Sequence, residues 1–113
     1  MKDDAVRGHL DALLLAALEQ GPLHGYAIIA AVRDRSGGAL ELRTGTMYPA
    51  LHRLERLGLL RSDWQSVGER RRRCYELTDA GRGALVDKRT AWRELTSAIG
   101  AVLEPSPTPR PAT

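Results

Sequence analysis

The first apolar pattern of the chain has the period of an α-helix. Leu10, Leu13, Leu14, Ala17 and Leu18 follow the spacing i, i+3, i+4, i+7, i+8, and Gly21 with Pro22 ends it. Alanine and leucine also fill the remaining sides of this predicted helix. A helix that is apolar nearly all round must be covered nearly all round, which a chain of this length does more easily with a second subunit.

A second helix is predicted to start near residues 23–26 and to end before Ser36. Its expected apolar face consists of Tyr26, Ile29, Ala30 and Val32, with Ile28 on the flank.

A third helix is positioned by Pro49, since proline is tolerated only in the first turn of a helix. The helix should therefore begin at about residue 45–47, with Thr44 or Thr46 as its cap, and stop at Gly58. Its buried stripe is predicted to be Met47, Leu51 and Leu54. At 100° per residue the outward side carries Thr46, Pro49, His52, Arg53 and Arg56, with Tyr48 on the flank. All of these except Pro49 can hydrogen-bond to a phosphate or a base edge.

The period then changes from helix to strand. Residues 60–66 and 72–77 alternate between two faces, which predicts a β-hairpin whose loop is 67–71. Arg70, Arg71, Arg72 and Arg73 make the end of this hairpin strongly basic, and alternation sends Arg72 and Arg73 to opposite faces.

A long final helix is predicted from Thr78, its cap, to about Leu103. Two heptad-spaced series run along it, Leu85, Trp92 and Ile99 in one and Leu95 and Val102 in the other. Such a stripe favours pairing with a helix of a second subunit, although it could instead pack on its own domain. Residues 104–113 carry proline at every second position from 105 to 111, which predicts an extended or disordered tail.

The charge distribution indicates the kind of partner. The chain has 113 residues and a net charge of +3, and residues 43–73 alone hold 8 basic and 3 acidic groups. Positive charge concentrated in one part of a small domain is typical of a protein that binds a polyanion, although a solvated surface is the plain alternative. A single cysteine, Cys74, fits a reducing cytoplasm. The longest apolar run has seven residues, so no membrane span is expected.

Enzymatic function is not expected. The sequence shows no carboxylate pair, glycine-rich phosphate loop or nucleophile motif. His24 and His52 have no cysteine or acidic neighbours at the spacing of metal ligands, so we predict no metal site and no cofactor.

Three helices, a hairpin and a long helix together predict a mainly α winged helix-turn-helix fold with a long C-terminal dimerisation helix. The predicted units are a DNA-binding domain over 1–78, a dimerisation helix over 79–103 and the tail over 104–113. Double-stranded DNA is the expected partner, because a major groove admits one helix with outward polar groups while a basic loop reaches phosphates. The residues predicted to contact DNA are Thr44, Thr46, Tyr48, Pro49, His52, Arg53, Arg56, Arg70, Arg71, Arg72 and Arg73. The residues predicted to form a homodimer are Leu10, Leu13, Leu14, Leu85, Trp92, Leu95, Ile99 and Val102.

Four separated motifs resemble the PadR family of bacterial transcriptional regulators over about residues 8–100. They are 24–26 (HGY), 45–51 (GTMYPAL), 54–60 (LERLGLL) and 73–81 (RCYELTDAG). The resemblance implies a homodimeric winged-helix repressor of the short branch, with one C-terminal helix and with the first and last helices forming the dimer. Met47 stands where many members have leucine, and Ala27 where an acidic residue is common.

The resemblance also implies a small-molecule effector. Some short members bind flat aromatic compounds between subunits, against a tryptophan of the last helix, and Trp92 is similarly placed. The competing hypothesis is a winged helix that binds only protein. In that case the outward side of the third helix should be apolar or acidic, which it is not.

Overall fold

The computed structural model describes residues 6–106, and the last seven residues of the proline-rich segment, 107–113, lie outside this range. Its helices are α1 (Leu10–Ala17), α2 (Gly25–Arg35), α3 (Thr44–Arg56) and α4 (Asp79–Leu103). Its strands are β1 (Leu23–His24), β2 (Leu60–Val67) and β3 (Arg70–Leu77), which form an antiparallel sheet in the order β1-β3-β2. This is the predicted winged helix with a long last helix.

One hydrophobic core joins the three short helices, the sheet and the beginning of α4. Leu14, Ile28, Leu51 and Tyr75 are at most 1% exposed and come from four different elements. The predicted stripe of α3 is confirmed, since Met47, Leu51 and Leu54 are all buried. Burial of this stripe fixes which side of α3 remains on the surface.

The start of α2 and its buried face differ from the prediction. Leu23 and His24 form strand β1 opposite Tyr75 and Cys74 of β3, a strand too short to leave a pattern in the sequence. The inward face of α2 carries Gly25, Ile28 and Val32, at the spacing i, i+3, i+7. Tyr26, which we expected on that face, is 69% exposed.

The cap of α3 and the loop of the hairpin also differ. The helix begins at Thr44, and the capping residue is Arg43, whose side chain makes no capping hydrogen bond. Neither threonine therefore serves as the cap. The hairpin turn is shorter than expected, with only Gly68 and Glu69 between the strands, and Gly68 takes a φ of 64°. A two-residue hairpin loop requires such a left-handed position, which glycine adopts without strain.

Three residues of the predicted dimer set are buried within the single chain. Leu10, Leu14 and Leu85 are 6%, 0% and 3% exposed. They belong to the core because α1 packs between α3 and α4, so this part of the prediction is corrected.

The N-terminus of α4 is held at two points. The Thr78 hydroxyl accepts a hydrogen bond from the Gly81 amide at 3.0 Å, as predicted for its cap, and donates one to the Gly58 carbonyl at 2.6 Å. Farther along, Arg89 donates to both carboxylate oxygens of Glu19, at 2.6 and 2.8 Å. This ion pair links α4 to the segment that follows α1.

The Glu19–Arg89 pair predicts a small acid sensitivity. The hydrogen bond and charge of Arg89 lower the pKa of Glu19 below its usual 4.5. A carboxylate with a lowered pKa in the folded state stabilises the fold above its unfolded pKa, and that stability is lost as pH falls through the folded value. We expect Glu19→Gln to reduce the loss of stability below pH 4.5, measured by urea unfolding across the acid range. If the free energy of unfolding falls equally steeply with decreasing pH in the two proteins, the ion pair contributes nothing to the acid sensitivity.

Candidate nucleic-acid interface

The surface of α3 is a row of polar groups. Thr44, Thr46, Pro49, His52, Arg53 and Arg56 are all exposed. The row follows the whole helix, which at 1.5 Å per residue is about 20 Å long. A helix of this length with one polar face and one buried face has the form that enters a major groove.

Tyr48 lies at the edge of this row and is half-buried. A Cβ atom added at Gly25 would overlap the Tyr48 hydroxyl and ring, so Gly25 is small because the tyrosine packs directly over the start of α2. Tyr48 therefore closes the edge of the core while its side chain still reaches the surface beside α3.

Arg53 is bound to another element. Its guanidinium donates to both oxygens of Asp11 in α1, at 2.5 and 3.0 Å, and these bonds raise the pKa of Arg53. Contact of Arg53 with a base edge therefore requires this ion pair to open. Arg56 and His52 have no such link to α1 in the described part of the chain.

The four consecutive arginines lie on strand β3 and not in the turn. Arg70, Arg71, Arg72 and Arg73 pair with Val67, Ser66, Gln65 and Trp64 of β2. As predicted from alternation, they are divided between two faces. Arg71 and Arg73 lie beside Trp64, while the Arg72 guanidinium is 2.9 Å from the His24 ring nitrogen Nε2.

The outer part of α4 carries an apolar stripe that no residue within 6–106 covers. Trp92, Leu95 and Ile99 are 46–51% exposed, and Val102 is 82% exposed. Leu13 of α1, also in the predicted dimer set, is half-buried beside this helix. Contiguous exposed apolar side chains of this size are unusual on a monomer and mark an interaction surface.

A groove of about 810 Å³ is lined by residues of both α1 and α4. Trp92 forms one wall and meets the His9 ring edge to face, with centroids 4.9 Å apart. Leu13, Ala16 and Leu85 make the floor apolar, and the Asp11–Arg53 pair lies at its border. The groove thus lies between the stripe of α4 and the recognition helix α3.

Comparison with known proteins decides the family. The model of the PadR-like family of transcriptional regulators matches residues 14–87. The chain belongs to the PadR family. Members of this family are transcriptional regulators and not enzymes, so this PadR-family chain is a regulator that acts through DNA.

Individual relatives agree with this assignment. A transcriptional regulator of Mycobacterium tuberculosis is 51% identical over 55 residues, which cover 49% of this PadR-family chain and 51% of the relative. A solved PadR-family regulator from Eggerthella lenta is 33% identical with a TM-score of 0.78, and the match covers 91% of this chain and 88% of the relative. A solved transcriptional regulator from Clostridium thermocellum is 26% identical with a TM-score of 0.83, and the match covers 90% of this chain and 100% of the relative.

Two further observations hold for residues 6–106. None of the helices there is long and apolar enough to span a membrane. That range also contains no group of three or more histidine, cysteine, aspartate or glutamate residues placed to hold a metal ion.

Sequence reasoning missed three contributors to this surface. Asp11 restrains Arg53 from 42 residues away, and His9 faces Trp92 from the other end of the chain. No periodic pattern in the sequence indicates either of these two contacts. Trp64 was missed because the five-residue loop that we predicted places it opposite Cys74, whereas the two-residue turn of the structure pairs it with Arg73.

Proposed function

We propose that this chain is a cytoplasmic, homodimeric repressor that binds an inverted-repeat operator and is released by a planar hydrophobic molecule. The observation that carries the proposal is the exposed polar row of α3 next to the arginines of β3. In the bound state α3 enters the major groove, where Thr46, His52 and Arg56 face base edges. Thr44, Tyr48 and Pro49 approach the backbone together with the hairpin arginines on the face turned towards the duplex, and Arg53 reaches the DNA only when its ion pair with Asp11 opens.

Two-fold symmetry determines the form of the operator. Two copies of α3 in a dimer meet successive major grooves about 34–36 Å apart. Selection of bound fragments from random duplex DNA at physiological salt should therefore recover one inverted repeat with half-sites about one turn apart. Recovery of nothing above background would contradict sequence-specific binding and favour a winged helix that binds protein.

The dimer proposal is supported by the uncovered stripe of α4. Trp92, Leu95, Ile99 and Val102 recur on one side of the helix and extend past the core of the chain. A second copy of α4 packed along this stripe would cover all four side chains and fix the distance between the two recognition helices.

The effector proposal is supported by the groove beside Trp92. It is large, mainly apolar and open on one side, which suits a flat hydrophobic molecule stacked on the indole. Because Asp11 and Arg53 lie at its border, a molecule bound there can change the position of α3 relative to α1.

Fluorescence provides the test of this site. A naphthyl or quinoline compound should quench part of the tryptophan emission of the wild-type protein, since aromatic stacking brings it against Trp92. The remaining emission comes from Trp64, the other tryptophan. Trp92→Leu should abolish the quenching and leave the Trp64 emission unchanged. Quenching that persists in this variant would remove Trp92 from the site.

A further inference from the structure

One face of the β2–β3 hairpin carries an exposed tryptophan beside two arginines. Trp64 is 51% exposed, and the guanidinium carbons of Arg71 and Arg73 lie 5.3 and 5.5 Å from the centroid of its ring. Arg73 is its direct partner across the ladder and Arg71 its diagonal neighbour. The indole therefore holds two guanidiniums next to one another at the surface through cation–π contacts, and Arg73 also donates from Nε to the Ser62 hydroxyl at 2.9 Å.

The two faces of the hairpin differ in their acidic groups. On the Trp64 face, strands β2 and β3 contribute Ser62, Ser66, Arg71 and Arg73 and no acidic residue. Asp63 and Glu76 both project from the opposite face, where Glu76 pairs with Arg61. Glu55 of α3 brings one carboxylate to the Trp64 face, 3.7 Å from the Arg73 guanidinium, against two carboxylates on the opposite face. Each face then has a net charge of +1, so position and not net charge decides which face a polyanion meets.

The Trp64 face also lies on the side of the recognition helix. Nearer the core the same face is buried at Leu60, Tyr75 and Leu77. Between the core and Trp64, Ser62 donates a hydrogen bond to Glu55 of α3 at 2.7 Å, and the Arg73 guanidinium is 3.7 Å from the same carboxylate. Glu55 follows His52 by three residues and is therefore its neighbour on the surface of α3, so the surface around Trp64 adjoins the exposed row of that helix.

We propose that Trp64, Arg71 and Arg73 form a single DNA-contact surface in which the indole packs on a deoxyribose and the two guanidiniums bind the adjoining phosphates. The occupant is the backbone of the duplex next to the major groove that receives α3. Arg70 and Arg72 lie on the other face and stay off the DNA. This inference rests on the proposed DNA-binding function and assigns the residues of the hairpin that carry it.

Two double substitutions with the same charge change test the choice of face. Binding is measured to a mixed-sequence duplex spanning two adjacent major grooves, as a function of salt. Arg71→Ala with Arg73→Ala should weaken binding at least about tenfold and reduce the salt slope by about 3.6, because each of the two subunits loses two phosphate contacts. Arg70→Ala with Arg72→Ala removes the same charge from the same strand and should leave the slope unchanged. Thermal unfolding confirms that each variant is folded.

The role of Trp64 has its own test. Trp64→Ala should weaken binding to every duplex at least about tenfold, because each subunit loses the apolar contact of its indole with a deoxyribose, while Trp64→Phe retains most of the affinity. In a Trp92→Phe background the remaining indole should become protected from iodide when duplex is added. A Trp64 that stays equally accessible to iodide in the complex would overturn its contact with DNA.

The outcomes separate this inference from the function on which it rests. A wild-type protein that binds no duplex at any salt contradicts the DNA-binding function itself. A wild-type protein that binds, with both arginine pairs weakening binding equally, contradicts the assignment to one face and leaves DNA binding intact. The proposal is supported only if the Arg71 and Arg73 variant loses more DNA affinity than the Arg70 and Arg72 variant and if DNA also protects Trp64 from iodide.

Discussion

Replacing Gly81 by alanine should destabilise the chain by about 3 kcal/mol, near the upper end of the usual effect of inserting a methyl group into packed structure. A Cβ atom at this position would overlap the backbone carbonyl oxygen of Leu59 and lie 3.0 Å from its carbonyl carbon. The obstacle is main chain, so a side-chain rotation cannot relieve it. The first turn of α4 would have to move away from the α3–β2 junction, and Thr78 would lose its hydrogen bonds to the Gly58 and Leu59 carbonyls.

Gly83 provides the matched control for Gly81. It lies in the same helix two residues later, and a Cβ added there meets nothing within 4 Å. Gly83→Ala should therefore stabilise the chain by about 0.5–1 kcal/mol, because alanine loses less conformational entropy in a helix. At equal protein concentration the two variants should differ in Tm by more than about 15 °C, given about 4–8 °C per kcal/mol for a domain of this size. Equal melting temperatures would show that α4 does not approach Leu59 closely.

Helices and strands whose apolar residues recur at regular spacing could be predicted from the sequence. The buried stripe of α3 and the full length of α4 follow from helical spacing, and Thr78 marks the start of α4. The argument from Pro49 was wrong, because this proline is the sixth residue of α3 and lies past the first turn to which we assigned it. The outward row of α3 followed directly, because burial of Met47, Leu51 and Leu54 leaves the other side on the surface. For this reason the proposed DNA-contact residues of α3 could be named before the fold was known.

Short or long-range features could not be predicted. Strand β1 has two residues and exists only because β3 provides its hydrogen-bond partners. The Asp11–Arg53 and Glu19–Arg89 pairs join residues 42 and 70 positions apart, and nothing in the local sequence specifies them. Tyr26 was misplaced because apolar character alone does not distinguish an inward side chain from an exposed one when a helix has apolar residues on several sides.

Introducing Ile99→Asp with Val102→Asp should abolish the proposed dimer and reduce operator binding at least about 100-fold, since a dimer gains avidity from engaging both half-sites. The two side chains lie on one side of α4 and are absent from the core cluster, so the winged helix should remain folded. In a dimer they would meet their symmetry mates, and four carboxylates would then be buried against apolar surface without partners. Sedimentation equilibrium should show monomers, and gel shifts on the selected inverted repeat should show only weak binding.

The control places the same charges on the opposite side of the same helical turns. Ser97 and Ala101 are both exposed, and at 100° per residue they lie about 180° and about 140° from the centre of the apolar stripe. Ser97→Asp with Ala101→Asp adds the same net charge to the same stretch of α4, so it carries the same general repulsion toward DNA. It should remain dimeric and lose far less operator affinity than the stripe variant. If both variants stay dimeric, α4 is not the interface, and the uncovered stripe from Trp92 to Val102 must bind something other than a second copy.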